Sequence, residues 1–363
     1  MNVSPQNKRK TVFFACAMPV FLVSLILISA LTHGCARDKD DPGITAAPPG
    51  SQTGAPAQTS GGLTGTATHD YPDGTYSGDY VNGARSGRGV MAYTDGRVYD
   101  GEWESNVRSG TGTITWPGGD EYTGAWADDA RNGVGTYTWS SGAEYSGGWE
   151  NNERSGHGVM THSDGSVYDG EWENGVKSGA GVFTWENGVI YTGSWADDAR
   201  NGAGTLTWAN GDVYTGDWAD NCRSGTGTLT FASGNIYEGG YENDVRAGSG
   251  TFTWTNGDVY TGNWANDVRS GFGRMTYETG SIYEGAWDND VISGFGVIEY
   301  NNGNRYEGDF ENALFSGSGT YTWADGSEYT GGWENNVRSG FGVMTPAVGQ
   351  VLEGMWEDGA FIG

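Results

Sequence analysis

Histidine, cysteine and glycine motifs are the first places to look for chemistry in this 363-residue chain, and their spacing argues against most of it. His157 and His162 lie five residues apart, so in a strand they face opposite sides and cannot chelate one metal ion. The cysteines form no Cys-x-x-Cys pair for zinc or redox chemistry. The recurring Gly-x-Gly pairs lack the third glycine of a dinucleotide-binding motif, and no Walker phosphate loop or Gly-x-Ser-x-Gly elbow occurs. We therefore expect no enzyme activity, no cofactor and no metal site.

Cys35 is a candidate for lipidation because of the residues that precede it. Lys8, Arg9 and Lys10 stand before an uncharged, largely apolar run over residues 11–31, which is typical of a secretion signal. The run is also long enough to span a bilayer as an uncleaved anchor helix. The Gly-Cys pair that follows resembles the lipobox of bacterial lipoproteins, in which the cysteine becomes the lipidated first residue. Lipidation, an uncleaved anchor and full release remain alternatives; we expect an exported, membrane-anchored protein of the cell envelope or cell surface.

The next segment has the composition of a linker. It contains Pro42, Pro48, Pro49 and Pro56 among many Gly, Ser and Thr residues, and it lacks aromatic residues. Such a segment cannot bury enough apolar surface to fold. We therefore predict a targeting segment over residues 1–35, a disordered linker over 36–69, and a folded array over 70–363.

The rest of the chain consists of a repeated sequence unit, and we expect the function of the protein to lie there. From Tyr76 the sequence recurs every 23 residues, and we number the places of one unit from 0 at this tyrosine. Glycine occupies places 2, 11, 13 and 20, an aromatic ring occupies place 4, and all 16 tryptophans stand at place 4 or place 17. The sequence contains twelve complete units and part of a thirteenth. The candidate aromatic row consists of Tyr99, Trp103, Trp116, Tyr122, Trp126, Trp139, Tyr168, Trp172, Trp185, Tyr191, Trp195, Trp208, Tyr260 and Trp264.

The spacing of these places predicts strands. Places 0, 2 and 4 share one face of an extended segment, and places 11, 13, 15 and 17 share one face of the next, because side chains alternate. Turns rich in Asn and Asp follow place 4, and a second turn contains the glycine of place 20. We predict an all-β fold, an elongated single-layer antiparallel array of β-hairpins. Since glycine inside a strand permits close approach, we expect the aromatic rings to lie over the glycines of places 2, 11 and 13.

The unit resembles the MORN repeat. Residues 168–181 show the pattern most fully, with Tyr-x-Gly-x-Trp, an Asn-containing turn, a basic residue and Gly-x-Gly. The resemblance covers residues 76–363 and implies an elongated β-array used for scaffolding, dimerisation or attachment, with phospholipid binding also proposed for the family. Kinase and methyltransferase domains that accompany such repeats in some relatives have no room in this chain.

Charge narrows the choice of partner. The chain has 46 acidic and 19 basic residues, which argues against a nucleic-acid partner. A basic residue occupies place 9 in ten units, and carboxylates at places 5 to 7 are close enough in sequence to pair with it. We favour a structural role for this basic row over phospholipid binding, because paired exposed charge is mostly solvated surface. The basic row consists of Arg85, Arg108, Arg131, Arg154, Lys177, Arg200, Arg223, Arg246, Arg269 and Arg338.

Identical units offer no unique convergent site, so we predict a non-enzymatic scaffold or attachment protein. Its partner would be another protein or a second copy of the chain, and its N-terminal lipid or anchor helix would hold it at a membrane. The alternative is a glycan or cell-wall binding protein whose Trp and Tyr rings stack on sugars. Packing of these rings on the glycine gaps is the structural interpretation that we prefer. Exposure of the rings at places 4 and 17 discriminates between the two.

Overall fold

A computed structural model describes residues 62–363, which form one antiparallel sheet of 27 strands. Each strand pairs with the strand that follows it in the chain, from β1 with β2 to β26 with β27. The predicted all-β array of hairpins is confirmed. No helix in this part of the chain is long and apolar enough to cross a membrane. The predicted targeting segment, with Cys35, and most of the predicted linker lie outside the described residues.

Each unit contains a short strand followed by a longer one. Most strands that carry places 0 to 4 have seven residues, and most strands that carry places 8 to 16 have nine. The strands are β1 Gly65–Tyr71, β2 Gly74–Val81, β3 Ala84–Tyr93, β4 Val98–Glu104, β5 Val107–Thr115, β6 Glu121–Ala127, β7 Ala130–Thr138, β8 Glu144–Glu150, β9 Glu153–Thr161, β10 Val167–Glu173, β11 Val176–Thr184, β12 Ile190–Ala196, β13 Ala199–Thr207, β14 Val213–Ala219, β15 Cys222–Thr230, β16 Ile236–Glu242, β17 Val245–Thr253, β18 Val259–Ala265, β19 Val268–Thr276, β20 Ile282–Asp288, β21 Val291–Glu299, β22 Arg305–Glu311, β23 Leu314–Thr322, β24 Glu328–Glu334, β25 Val337–Thr345, β26 Leu352–Glu357 and β27 Ala360–Phe361.

The sheet begins before the predicted boundary at residue 70. Strand β1 starts at Gly65, so the last residues of the predicted linker are strand. They pair along β2, and the Thr66 hydroxyl donates to Asp79 Oδ1 at 2.8 Å. The sequence obscured this strand because small polar residues suit a strand as well as a linker when a neighbouring strand supplies the hydrogen bonds.

The first turn of each unit is a two-residue hairpin with left-handed backbone at both positions. In the hairpin between β8 and β9, Asn151 has φ 49° and Asn152 has φ 72°. Asn, Asp and Gly tolerate this conformation, which matches the twist of the flanking strands. The second turn contains the glycine of place 20; Gly142 has φ 87° and its N–H donates to the Trp139 carbonyl at 2.9 Å.

The glycines at places 2 and 13 lie beneath the tyrosine of place 0, as predicted. A methyl group on Gly112 would stand 2.4 Å from Tyr99 Oη, and one on Gly101 would stand 2.5 Å from the Cα of Gly112. The tyrosines of place 0 are 0% exposed from Tyr76 to Tyr329, although the sheet has a single layer. These glycines therefore create the space in which the rings of the core pack.

The prediction for place 11 is wrong. Gly110 is exposed, has φ 63° and lies in a β-bulge between β4 and β5, where three residues oppose Glu102 alone. The same register shift recurs in other units, and between β22 and β23 it falls one residue earlier, between Gly308 and Asp309. The glycine of place 11 is required by this left-handed bulge and not by ring packing.

Candidate interaction surface

One face of the sheet is built from the aromatic residues, and the rings of place 4 are enclosed in it. Trp103, Trp126 and Trp172 are 3%, 5% and 3% exposed. Each ring meets the tyrosine of its own unit and that of the preceding unit edge to face, as Trp126 does with Tyr122 at 5.2 Å and Tyr99 at 5.3 Å. Its indole N–H donates to the carbonyl of the preceding glycine of place 13, Gly112, at 3.0 Å. These rings are therefore core and do not offer a stacking surface.

The rings of place 17 are less enclosed. Trp185 packs on Phe183, two residues before it, at 4.5 Å between ring centroids, and Trp139 packs on Tyr137 at 4.6 Å. Most of these rings are half-buried, whereas Trp139 is 8% exposed. They form the margin of the aromatic face, and a ligand for this face would meet them first.

The basic residues of place 9 lie on the same face and pack against it. The Arg108 guanidinium stands 4.3 Å from the ring centroid of Trp126 in the next unit. It also donates to Asp129, from Nε to Oδ1 at 3.0 Å and from Nη2 to the main-chain oxygen at 2.6 Å. Asp129 holds place 7 of the next unit, so the carboxylates of the following hairpin turn meet the basic row. Each such arginine joins two consecutive units.

Arg223, Arg246 and Arg269 repeat the ion pair with an aspartate of place 7. Arg85 and Arg131 meet an asparagine at that place and donate from Nη2 to its main-chain oxygen. Arg131 and Arg154 are 2% and 4% exposed, and their guanidinium carbons stand 4.4 and 4.0 Å from tryptophan rings. The ammonium of Lys177 stands 5.0 Å from the Trp195 ring. The structure thus brings the predicted aromatic and basic rows together on one face, where the rings and guanidinium groups contact each other.

Burial governs the electrostatics of this face. Desolvation raises the pKa of Tyr76, Tyr191, Tyr237 and Tyr260 to about 12, because the phenolate would lose its hydration. The hydroxyl is held neutral and donates to the main-chain oxygen three residues ahead, as Tyr191 does to Ser194 at 3.0 Å. For the same reason burial lowers the pKa of the Arg131 guanidinium.

The opposite face is polar and carries a shallow groove along the line of glycines. In the middle of the array Gly204, Gly216, Gly227 and Gly239 form its floor. Threonine hydroxyls pair across neighbouring strands beside it, as Thr205 and Thr215 do at 3.0 Å. No group of three or more His, Cys, Asp or Glu residues within 62–363 is placed to hold a metal ion. We call this side the solvent face.

Three phenylalanines interrupt the polarity of the solvent face near its C-terminal end. Phe272, Phe295 and Phe341 all hold place 12 and are each 59% exposed. These three residues could not be predicted from the places that stay constant from unit to unit. The signal was present, since place 12 is otherwise occupied by small, polar or charged residues in most units.

Some solved structures are similar to this chain at low sequence identity. The TCP10 domain of Danio rerio CPAP, solved in complex with a peptide of Danio rerio STIL, matches with TM-score 0.35 and 11% identity, covering 60% of this chain and 92% of that one. The TCP domain of Drosophila melanogaster SAS-4 (dCPAP), solved with a proline-rich motif of Ana2 (dSTIL), matches with TM-score 0.28 and 13% identity, covering 47% and 86%. Similarities with TM-scores this low do not indicate a function for this chain.

Sequence comparison is more decisive. No curated protein matches the chain significantly. The family model described as the MORN repeat matches twelve consecutive segments, which begin at residue 76 and end at residue 347. Their boundaries fall on the tyrosines of place 0, in register with the hairpins described above. The chain therefore belongs to the MORN repeat family.

Proposed function

We propose that this chain is a non-enzymatic scaffold or attachment protein that binds other proteins, or further copies of itself, through its solvent face. The proposal rests on one observation, which is that the two faces of the sheet have different roles. The aromatic and basic rows contact one another and hold consecutive units together. The solvent face varies from unit to unit while the hairpins stay the same, and that variation is what selective binding requires.

We further propose that the N-terminal segment tethers the array to a membrane outside the cytoplasm. The basic residues, the apolar run and Cys35 support this part of the proposal. Palmitate labelling of the full chain and of Cys35→Ala separates lipidation from an anchor helix. Label that persists in Cys35→Ala would rule out lipidation at this residue.

Glycan binding has less support, because the rings of place 4 are enclosed. Sugar stacking needs an accessible ring face, and Trp103, Trp149 and Trp195 are each 3% exposed. Of the predicted aromatic row, only the half-buried rings of place 17 would be available. Quenching of tryptophan fluorescence by cell-wall oligosaccharides would support the glycan alternative.

The proposed function is tested by affinity purification from the source cell envelope with the tagged full-length chain as bait. We expect defined proteins, or the chain itself, to be retained after washing with oligosaccharide and to be absent when an unrelated exported bait is used. Recovery of polysaccharide or lipid alone would contradict a protein-binding scaffold.

A further inference from the structure

Exposed apolar side chains recur along one line of positions on the solvent face of the last units. Because of the strand register, the residues of places 12 and 3 alternate along this line. Phe272 pairs with Ala286 and Phe341 with Met355, whereas Phe295 pairs with Asp309 and the Ser318–Gly332 pair separates it from Phe341. Phe272, Phe295 and Phe341 are each 59% exposed, and Met355 is 46% exposed. Since a phenylalanine has on the order of 200 Å² of surface, each ring leaves roughly 120 Å² in water. Exposed apolar area that clusters in this way marks an interaction site.

Packing of the sheet does not require these rings. Ser249 and Ser318 hold the same place in other units, within strands β17 and β23 that have the regular length and the regular pairing with the strands that follow them. The side chains of place 12 point away from the aromatic face, so replacing phenylalanine by serine creates no cavity in the core. The stability of the fold therefore does not explain why place 12 is apolar in β19, β21 and β25.

Acidic residues flank this line on the same face. In β20, Ala286 stands between Glu284 and Asp288 at two-residue spacing, and β26 repeats the arrangement with Glu353 and Glu357 around Met355. The acids of place 5 in these units are all exposed: Asp288, Glu311, Glu334 and Glu357.

The acidic residues of place 1 and those of place 5, which form two acidic columns beside the apolar line, differ in how many of them pair with a basic residue. On the place 1 side, Arg274 lies 4.0 Å from Glu284, and Arg305 contacts Glu307. No arginine or lysine within the described residues forms a salt bridge with Asp288, Glu311 or Glu334. The place 5 side of the apolar line therefore carries the stronger negative potential.

We propose that this strip, formed by the three phenylalanines of place 12 and the acids of place 5, docks a basic amphipathic helix of a partner protein. The apolar side of such a helix would cover Phe272, Phe295 and Phe341, and its Lys or Arg residues would face the acidic column. The proposal rests on the protein-binding function proposed above and specifies its partner. A second copy of the chain would bring acids against acids, and an anionic membrane would be repelled by the same column.

The spacing of the rings fits a helix. Consecutive units advance by two strands, about 9.6 Å at 4.8 Å per strand. Residues seven apart on one side of a helix are separated by about 10.5 Å, at 1.5 Å per residue. Phe272 and Phe295 are one unit apart and Phe341 is two further units along, which corresponds to steps of about seven and fourteen residues along a helix that follows the strip.

The test measures binding of a fluorescent Leu/Lys peptide, patterned as an amphipathic helix, to the full-length chain in phosphatidylcholine nanodiscs, with empty nanodiscs as the blank. We expect the triple variant Phe272→Ser, Phe295→Ser, Phe341→Ser to bind at least tenfold more weakly. Asp288→Asn, Glu311→Gln and Glu334→Gln together should weaken binding at least threefold and reduce its dependence on salt. Val134→Ser is the matched control, because Val134 holds place 12 and is 75% exposed but lies many units away; its binding should not change. Far-ultraviolet circular dichroism confirms the strand content of every variant.

Four outcomes would overturn the proposal. They are equal binding by the triple serine variant, equal binding of a Leu/Glu peptide of the same pattern, binding of phosphatidylglycerol vesicles that the serine substitutions abolish, and dimerisation of the wild-type chain that they abolish. The last two would assign the strip to a membrane surface or to a second copy. Proteins recovered from the cell envelope equally by wild-type and triple serine bait would leave the scaffold function standing and remove only this strip from it.

Discussion

At the scale of single residues, the tyrosine of place 0 and two glycines form the smallest structural unit of the core. The Tyr122 ring covers Gly124 and Gly135, and its hydroxyl donates to the Ala125 carbonyl at 2.9 Å. The hydrogen bond fixes the ring in the plane where glycine alone fits beneath it. A single-layer sheet thereby gains fully buried side chains without a second layer of structure.

Substitution of such a glycine should overpack the core. In Gly112→Ala the new methyl group would stand 2.4 Å from Tyr99 Oη and 2.6 Å from its Cζ. We expect a loss of about 1–3 kcal/mol in the free energy of unfolding, measured by urea denaturation followed by circular dichroism. Gly118→Ala is the control in the same unit, since a Cβ there meets nothing within 4 Å. It should be neutral or gain up to about 1 kcal/mol, and equal losses in both variants would contradict the role given to the ring.

The difference between arginine and lysine at place 9 is a second test at this scale. Arg200 stands over Trp218 at 4.4 Å and donates from Nη2 to the Asn221 carbonyl at 2.7 Å, whereas the Lys177 ammonium stands 5.0 Å from Trp195. A planar guanidinium can stack and donate together, which an ammonium cannot. We expect Lys177→Arg to raise, and Arg200→Lys to lower, the free energy of unfolding by about 0.5–1 kcal/mol. Chemical denaturation measures both, and a gain in Arg200→Lys would contradict this account of the basic row.

At the scale of the hairpin, the turn residue of place 7 serves its own turn and the preceding unit. Asn336 has φ 67°, and its Oδ1 accepts the main-chain N–H of Phe315 at 2.7 Å. The same bond recurs where the main-chain N–H of Arg131 donates to Asn152 Oδ1 at 2.9 Å. Ala313 holds this place in one unit with φ 62°, and it has no side-chain oxygen for Ile292. That hairpin combines backbone strain with a missing acceptor.

Repair of this turn should stabilise the array. Ala313→Asn tolerates the left-handed backbone and supplies the acceptor, so we expect a gain of about 1–2 kcal/mol in the free energy of unfolding. Ala313→Gly relieves the backbone alone and should gain less. Thermal denaturation of the two variants separates the contributions. An Asn variant no more stable than wild type would show that the turn is not strained.

Much of the hairpin could be predicted from sequence because its requirements are local. Alternation identified the strands, and Asn-rich and Gly-containing turns identified their ends. The β-bulge could not be found in this way, because Gly110 of place 11 and Gly112 of place 13 look identical in sequence while one has φ 63° and the other lies under a ring. The contact of Arg108 with Asp129 of the next unit depends on register between units, which periodicity alone does not specify. Phe272 escaped notice for the opposite reason, since its place is not periodic in residue type.

At the scale of the whole array, ionisation of the twelve buried tyrosines of place 0 at high pH should destabilise the fold. A tyrosine in an unfolded chain ionises near pH 10, whereas burial raises the pKa of Tyr76, Tyr191, Tyr237 and Tyr260 to about 12. Above pH 10 the unfolded state therefore binds fewer protons than the folded state, and stability falls. The stabilisation is fully present below about pH 10 and is lost as the pH rises through about 12.

We consequently expect the midpoint of thermal unfolding to be nearly constant from about pH 7 to pH 9 and to fall steeply from about pH 10 to pH 12. Circular dichroism follows the strands, and the ultraviolet absorbance of tyrosinate follows ionisation in the same samples. The two transitions should coincide. Ionisation of most tyrosines well before loss of strand signal would show that the rings of place 0 are accessible while the sheet is intact.

Because every unit adds two strands, the distance between equivalent positions of consecutive units is constant along the array. Any two residues that hold the same place in different units are separated by a whole number of steps of about 9.6 Å along the array. A duplication or loss of one 23-residue segment between Phe295 and Phe341 would move these rings apart or together by one step, while every neighbouring pair of hairpins kept the same kind of contact. The distance between binding positions can thus change in evolution independently of the fold, in increments that the hydrogen bonds of the sheet dictate.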